Sequence, residues 1–181
     1  MRPARPPSLA AATLATGSVA SLATFVGLAM AAEAEDLAPL RPINATSHWL
    51  NGDFAGLHSG ADRRRTGVGI ATNHAACLFW ALPFMAWQRR RPAATPAALM
   101  RDALVMSAVA AAVDYGATPK RFTPGWELVL SKGGMVGAYA ALAVGLAAGA
   151  SLAARKGRRG GAGPRHVRTA PAPALPPRHA R

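Results

Sequence analysis

The side chains able to do chemistry in this 181-residue chain are few and scattered. Asn44 and His48 stand in the run Asn44-Ala45-Thr46-Ser47-His48-Trp49, and Asn73 directly precedes His74. Asp114 directly precedes Tyr115, and Glu127 closes the run Thr123-Pro124-Gly125-Trp126-Glu127. A histidine facing an aspartate is the pairing of a proton- or ion-linked site, because imidazole changes charge near neutral pH. His48 and His74 with Asp114 or Glu127 would also supply the donor types of a metal or general acid–base site. The spacing does not favour that chemistry, since the chain holds no H-x-x-x-H or H-x-x-E pattern. There is no glycine-rich phosphate loop and no nucleophile elbow, so the soluble-enzyme classes those motifs mark are excluded. No catalytic residue, metal or cofactor is assigned. A third use of the same groups is hydrogen bonding that holds helices and loops together.

The elements that must position these residues are membrane helices. Charged residues make up only 16% of the chain, against 51% hydrophobic. Residues 8–32 carry no ionisable side chain, residues 66–88 only His74 and Cys77, and residues 135–154 only Tyr139. Each run reaches about the 20 residues that cross a hydrocarbon core of about 30 Å. The pattern predicts an all-α integral membrane bundle of four transmembrane helices, over about 8–32, 66–88, 96–116 and 134–154. A basic N-terminus (1–7) precedes the bundle and a disordered, basic, Pro- and Arg-rich tail (155–181) follows it. The first run competes with a signal peptide, because Ala29-Met30-Ala31 resembles a cleavage site. Its length exceeds a usual signal-peptide core, and Gly17 and Ser21 are spaced for close helix contact, which favours a retained helix.

Triple-arginine clusters, Arg63 to Arg65 and Arg89 to Arg91, mark the limits of the second span, and Pro83 lies inside it. The third is alanine-rich, carries Asp102 and Asp114, and is the weakest of the four. Its punctuation is clear, with Thr95-Pro96 as cap and first turn and Gly116 with Pro119 as the stop. A short interfacial helix around residues 126–130 precedes the last span. In that span Gly137, Ala141, Gly145 and Gly149 recur every fourth residue and form a smooth packing ridge, open to another helix, a second copy of the chain or a membrane partner. Cys77 reads as a small packing residue.

The net charge of +13 sits at the ends of the apolar runs, which is the pattern of membrane topology and not of a nucleic-acid surface. Fourteen Lys and Arg flank the side shared by the N-terminus, the second loop and the tail, against seven on the other side. The excess predicts both termini in the cytoplasm, with the tail meeting anionic lipid. Asn73, His74, Asp114 and Tyr115 then share the outer leaflet, facing loops that carry Asn44, His48 and Glu127. These seven residues are expected to converge on one periplasm-facing polar pocket.

The motifs quoted above, together with Phe79-Trp80-Ala81 and Val113-Asp114-Tyr115-Gly116, resemble those of a family of uncharacterised proteobacterial multi-pass inner-membrane proteins. The resemblance covers about residues 10–154. Members typically carry a second histidine where this chain has Asn73, a departure that weakens a paired-histidine metal site. The resemblance implies location in a bacterial inner membrane and about four helices, and no activity. The functional expectation is a structural or interaction role for the pocket. A small proton- or ion-linked transporter or channel component is the alternative, ahead of a membrane-embedded metal-dependent enzyme.

Overall fold

The computed structural model describes residues 7–159, and side chains as far as Arg155. The chain is an all-α bundle. Helix α1 spans Leu9–Ala34, and two short helices follow, α2 over Arg41–Ala45 and α3 over His48–Asn51. A turn of π-helix, Arg63–Gly67, leads into α4, Val68–Arg90; α5 spans Pro96–Gly116 and α6 spans Lys132–Arg159. The basic residues 1–6 and the tail from residue 160 onward lie outside the described residues.

Four helices are long and apolar enough to cross a membrane. Their ends obey local chemistry. Ser8 caps α1 by accepting from the Ala11 amide at 3.1 Å, and Thr95 caps α5 by accepting from Ala98 at 3.1 Å, with Pro96 in the first turn. Asp62 accepts from the Arg65 amide at 2.6 Å at the start of the π-turn. The third span is less marginal than its two aspartates suggest. Its most apolar window has a mean hydropathy of 1.5, against 1.3 for the second span. Asp102 is buried, but Gln88 and Arg101 donate to it at 2.9 and 2.8 Å. The short helix before the last span is a single 3-10 turn, Trp126–Leu128. Helix α6 begins at Lys132, runs through Gly133-Gly134, and continues to Arg159, five residues into the segment expected to be tail.

Helix α1 is the centre of the bundle, with α4 on one side and α6 on the other, and α5 packs chiefly on α6. The α6 ridge faces α1. A Cβ on Gly145 would lie 2.5 Å from the Ala20 Cα, and one on Gly149 would lie 2.6 Å from the Thr16 Cα. Further along, a Cβ on Gly27 of α1 would meet the Ala141 Cβ at 2.4 Å. The expectation that this ridge serves a partner molecule is therefore corrected: α1 of the same chain covers Ala141, Gly145 and Gly149, while Gly137 faces open space. The opposite side of α1 meets α4 as closely, since a Cβ on Gly17 would lie 2.9 Å from the Leu78 Cα.

The bundle is small and partly polar inside and large and apolar outside. Thr13, Thr16, Ser21 and Thr24 of α1 are buried, whereas Leu14, Leu22, Val26 and Met30 of the same helix are exposed. Leu104, Val105 and Val109 of α5 and Val136, Val144 and Leu152 of α6 are exposed too. A water-soluble bundle would bury these side chains, and a bilayer solvates them. Substituting Gly145→Ala or Gly149→Ala forces backbones apart and is expected to cost about 1–3 kcal/mol. Gly137→Ala should stay within about 0.5 kcal/mol of the parent. Thermal unfolding of the three variants in detergent, compared with the parent, checks this ordering.

Candidate functional site

At the end of the bundle away from the termini, residues 35–62 and 117–131 fold into a cap. Its centre is a run of seven buried residues, 42–48. Loops seldom bury so much backbone, because the polar groups need partners. Here side chains provide them. Asn44, fully buried, donates to the His58 and Gly60 carbonyls at 2.8 and 3.1 Å and accepts from Thr66 at 2.7 Å. The ring of His48 lies 3.0 Å from the Thr123 carbonyl and 3.3 Å from Asp53. The Trp126 indole donates to Thr46 at 3.0 Å, and the Trp49 indole donates to Thr72 of α4 at 3.1 Å. Two glycines permit this fit. Gly125 adopts φ +79° with its α-carbon against the Ala45 carbonyl, and a Cβ on Gly69 would lie 2.0 Å from the Ile43 oxygen. The Asn44–Trp49 and Thr123–Glu127 motifs are thus the two halves of one lock.

Beneath the lock lies a cavity of about 90 Å³. Helix α1 contributes Thr24, α4 contributes Thr72, Asn73, Cys77 and Trp80, α5 contributes Asp114, and α6 contributes Tyr139. The cap adds Thr46, Thr123 and Trp126. Tyr139 donates to Asp114 at 2.7 Å, and its ring packs against Trp126 with centroids 5.2 Å apart. Asn73 is buried and donates to the Ser21 hydroxyl and carbonyl at 3.2 and 3.3 Å, tying α4 to α1. Ser107 donates to the Tyr139 carbonyl at 2.6 Å, tying α5 to α6. Ala76 and Phe122 are exposed lining residues, so the cavity opens between α4 and the 3-10 turn Lys120–Phe122.

Of the seven residues expected to converge, the structure brings two, Asn73 and Asp114, to the cavity wall. Asn44 and His48 belong to the lock above it. Tyr115 and Glu127 sit at the outer rim, where Tyr115 donates to Glu127 at 3.2 Å and Thr123 also donates to Glu127. His74 is half-buried, is not part of the lining, and has no hydrogen bond among the described residues. The expectation placing it in the pocket is corrected: Asn73 and Cys77, one turn apart, point inward, and His74 is rotated off that face. Among the described residues no three His, Cys, Asp or Glu side chains come together as a metal-holding group. The residues missed are Tyr139, Trp126, Thr24 and Thr72. Tyr139 was the one ionisable group in its apolar run, and Ser21 with Thr24 repeats the helical spacing of Gly17. Those were the signals available.

Outside the spans, two carboxylates hold the cap to helix ends. The amide and hydroxyl of Ser131 donate to Glu35 at 2.9 and 2.6 Å and lower its pKa. The Arg65 amide, then its guanidinium, does the same for Asp62. The fold and site together define a four-helix membrane bundle with a loop-capped polar cavity. Comparison with known proteins finds no matching family model, no similar curated protein and no similar solved structure.

Two outcomes follow from the lock. Asn44→Ala strands two carbonyls and a hydroxyl and should cost about 3 kcal/mol, read as faster proteolysis of residues 52–62 and a lower melting temperature. Because the Glu35 pKa is depressed in the fold, its tether is fully present above the ordinary glutamate value of about 4.3 and is lost as pH falls through the lower folded value. Exchange at the Ser131 amide, corrected for intrinsic rate, should therefore rise on acidification below that range, and Glu35→Gln should abolish the pH dependence.

Proposed function

We propose that this chain is a multi-pass protein of a bacterial inner membrane, with both termini in the cytoplasm and the cap in the periplasm. In that setting it is a non-enzymatic interaction protein, and its interaction site is the cavity under the cap. The charge balance across the spans supports the orientation. The retained first helix is supported by its central place, since Thr24 lines the cavity and Ser21 anchors Asn73.

One observation carries the site. Asp114 is a carboxylate within a membrane span, yet among the described residues no Lys, Arg or His lines the cavity with it. Ionisable groups at such depth are costly and mark function when no partner explains them. Asp102, by contrast, has Arg101 and Gln88 and is explained by packing. The alternative of an ion-linked transporter draws support from the same carboxylate. Below the cavity, however, Phe84, Ala81, Leu146 and Ala143 are fully buried and apolar, which favours binding over passage.

Alkaline phosphatase fused after Arg181 should be inactive, and the enzyme inserted after Gly60 should be active; the reverse pattern would overturn the orientation. Asp114→Asn should accumulate in the membrane like the parent while failing to complement a deletion strain under envelope stress. Full complementation by that variant would sink the interaction site.

A further inference from the structure

We propose that the cavity binds a small ammonium cation, of the class of ammonium or methylammonium, with Asp114 as its counter-charge. The inference rests on reading the cavity as an interaction site and names its ligand class.

Hydrogen-bond bookkeeping of the wall points that way. Five donor hydrogens at the lining are engaged within the protein. Tyr139 gives its proton to Asp114, and Trp126 gives its own to Thr46. The Thr24 and Thr46 hydroxyls donate to the carbonyls of Ala20 and Pro42, and the Thr123 hydroxyl donates to Glu127. Oxygen lone pairs are what these groups still offer. Asn73 has both its bonds to Ser21 through its nitrogen, and its oxygen has only the Cys77 thiol at 4.0 Å. Asp114 accepts from Tyr139 on one oxygen, and the other has no partner among the described residues. Among the described residues the Thr72 hydroxyl and the Trp80 indole are the lining donors left without an acceptor, and the rest of the polar wall offers oxygen acceptors, the Asp114 carboxyl among them.

The remaining wall is aromatic, with Trp80, Trp126 and Tyr139. Aromatic faces attract cations by their quadrupole, most strongly where water is excluded. Acceptors and aromatic faces together suit an N–H-bearing cation, which can donate to the oxygens and rest on the rings. A neutral ligand would leave the carboxylate uncompensated, and an anion would be repelled by it. At about 90 Å³ the cavity has room for a methylated ammonium.

The chain's single cysteine, Cys77, lines this cavity and serves as reporter. Full-length protein in detergent would be treated with methyl methanethiosulfonate, a small neutral thiol reagent, and labelling followed by intact mass. Labelling is expected in the native protein. Methylammonium chloride should slow it about fivefold at about four times its Kd, as occupancy requires, whereas sodium and potassium chloride at equal ionic strength should not. Asp114→Asn should label with no methylammonium effect. Equal protection by sodium or potassium, no protection by methylammonium, or protection retained in Asp114→Asn would overturn the ammonium assignment alone. Labelling only after SDS denaturation would overturn the open cavity, and the interaction reading with it. Should Asp114→Asn fail to fold, the comparison of cations on the parent protein decides.

Discussion

The close approach of α1 to its neighbours is the contact on which the rest of this structure depends. Gly149 lies against the Thr16 backbone and Gly145 against Ala20, while Gly17 on the other side lies against Leu78. In hydrocarbon, expulsion of apolar surface from water cannot draw helices together. What remains is dispersion between surfaces that fit closely, supplemented by a few interhelical hydrogen bonds. Helix α1 meets that constraint on two faces at once. Its small residues turn toward α4 and α6, Leu28 is buried with them, and Leu14, Leu22 and Val26 turn outward. The cost falls on polarity, because the small residues include buried Thr13, whose hydroxyl has no partner among the described residues.

The helices stay close toward the cap end, where Gly27 lies against Ala141 and Glu35 at the end of α1 meets Ser131 at the start of α6. Loops 35–62 and 117–131 are held less by apolar burial than by side-chain-to-backbone hydrogen bonds, centred on Asn44 and His48. The cap then reaches down to α4 through Trp49 on Thr72, and Glu35 on Ser131 ties its two segments together where α1 ends and α6 begins. Each bond joins segments far apart in sequence, so the cap and the outer helix ends form one cooperative unit.

The fold was legible because lipid imposes a coarse and unmistakable pattern: long runs without charge, bounded by arginines or by caps such as Thr95-Pro96. Helix α5 was readable for the same reason, although its two aspartates made it look weaker than it is. The ridge on α6 was visible, but spacing alone does not say which helix covers it. The site was legible only in part. Asn73 and Asp114 do reach one cavity wall, yet His74 and Asn73 are neighbours that face different ways, and a shift of a few residues in a helix boundary leaves that undecided. His48 and Asn44 looked like chemistry because lock residues and ligand residues use the same side chains. Their difference lies in whether the partner is the protein's own backbone, which no sequence spacing reveals.

That difference also separates the two aspartates of α5. Asp102 and Asp114 lie on the same helix, each near one end, and both interrupt an apolar run. Asp102 accepts from a glutamine and an arginine, and its burial of 4% exposure is thereby compensated. Asp114 accepts from one tyrosine, whose own ring forms part of the cavity wall. A carboxylate held solely for packing would be cheaper as Asn or Ser, either of which could still meet the Tyr139 hydroxyl without a charge to desolvate. The hydrogen bond to Tyr139 therefore does not by itself account for a carboxyl group at 114.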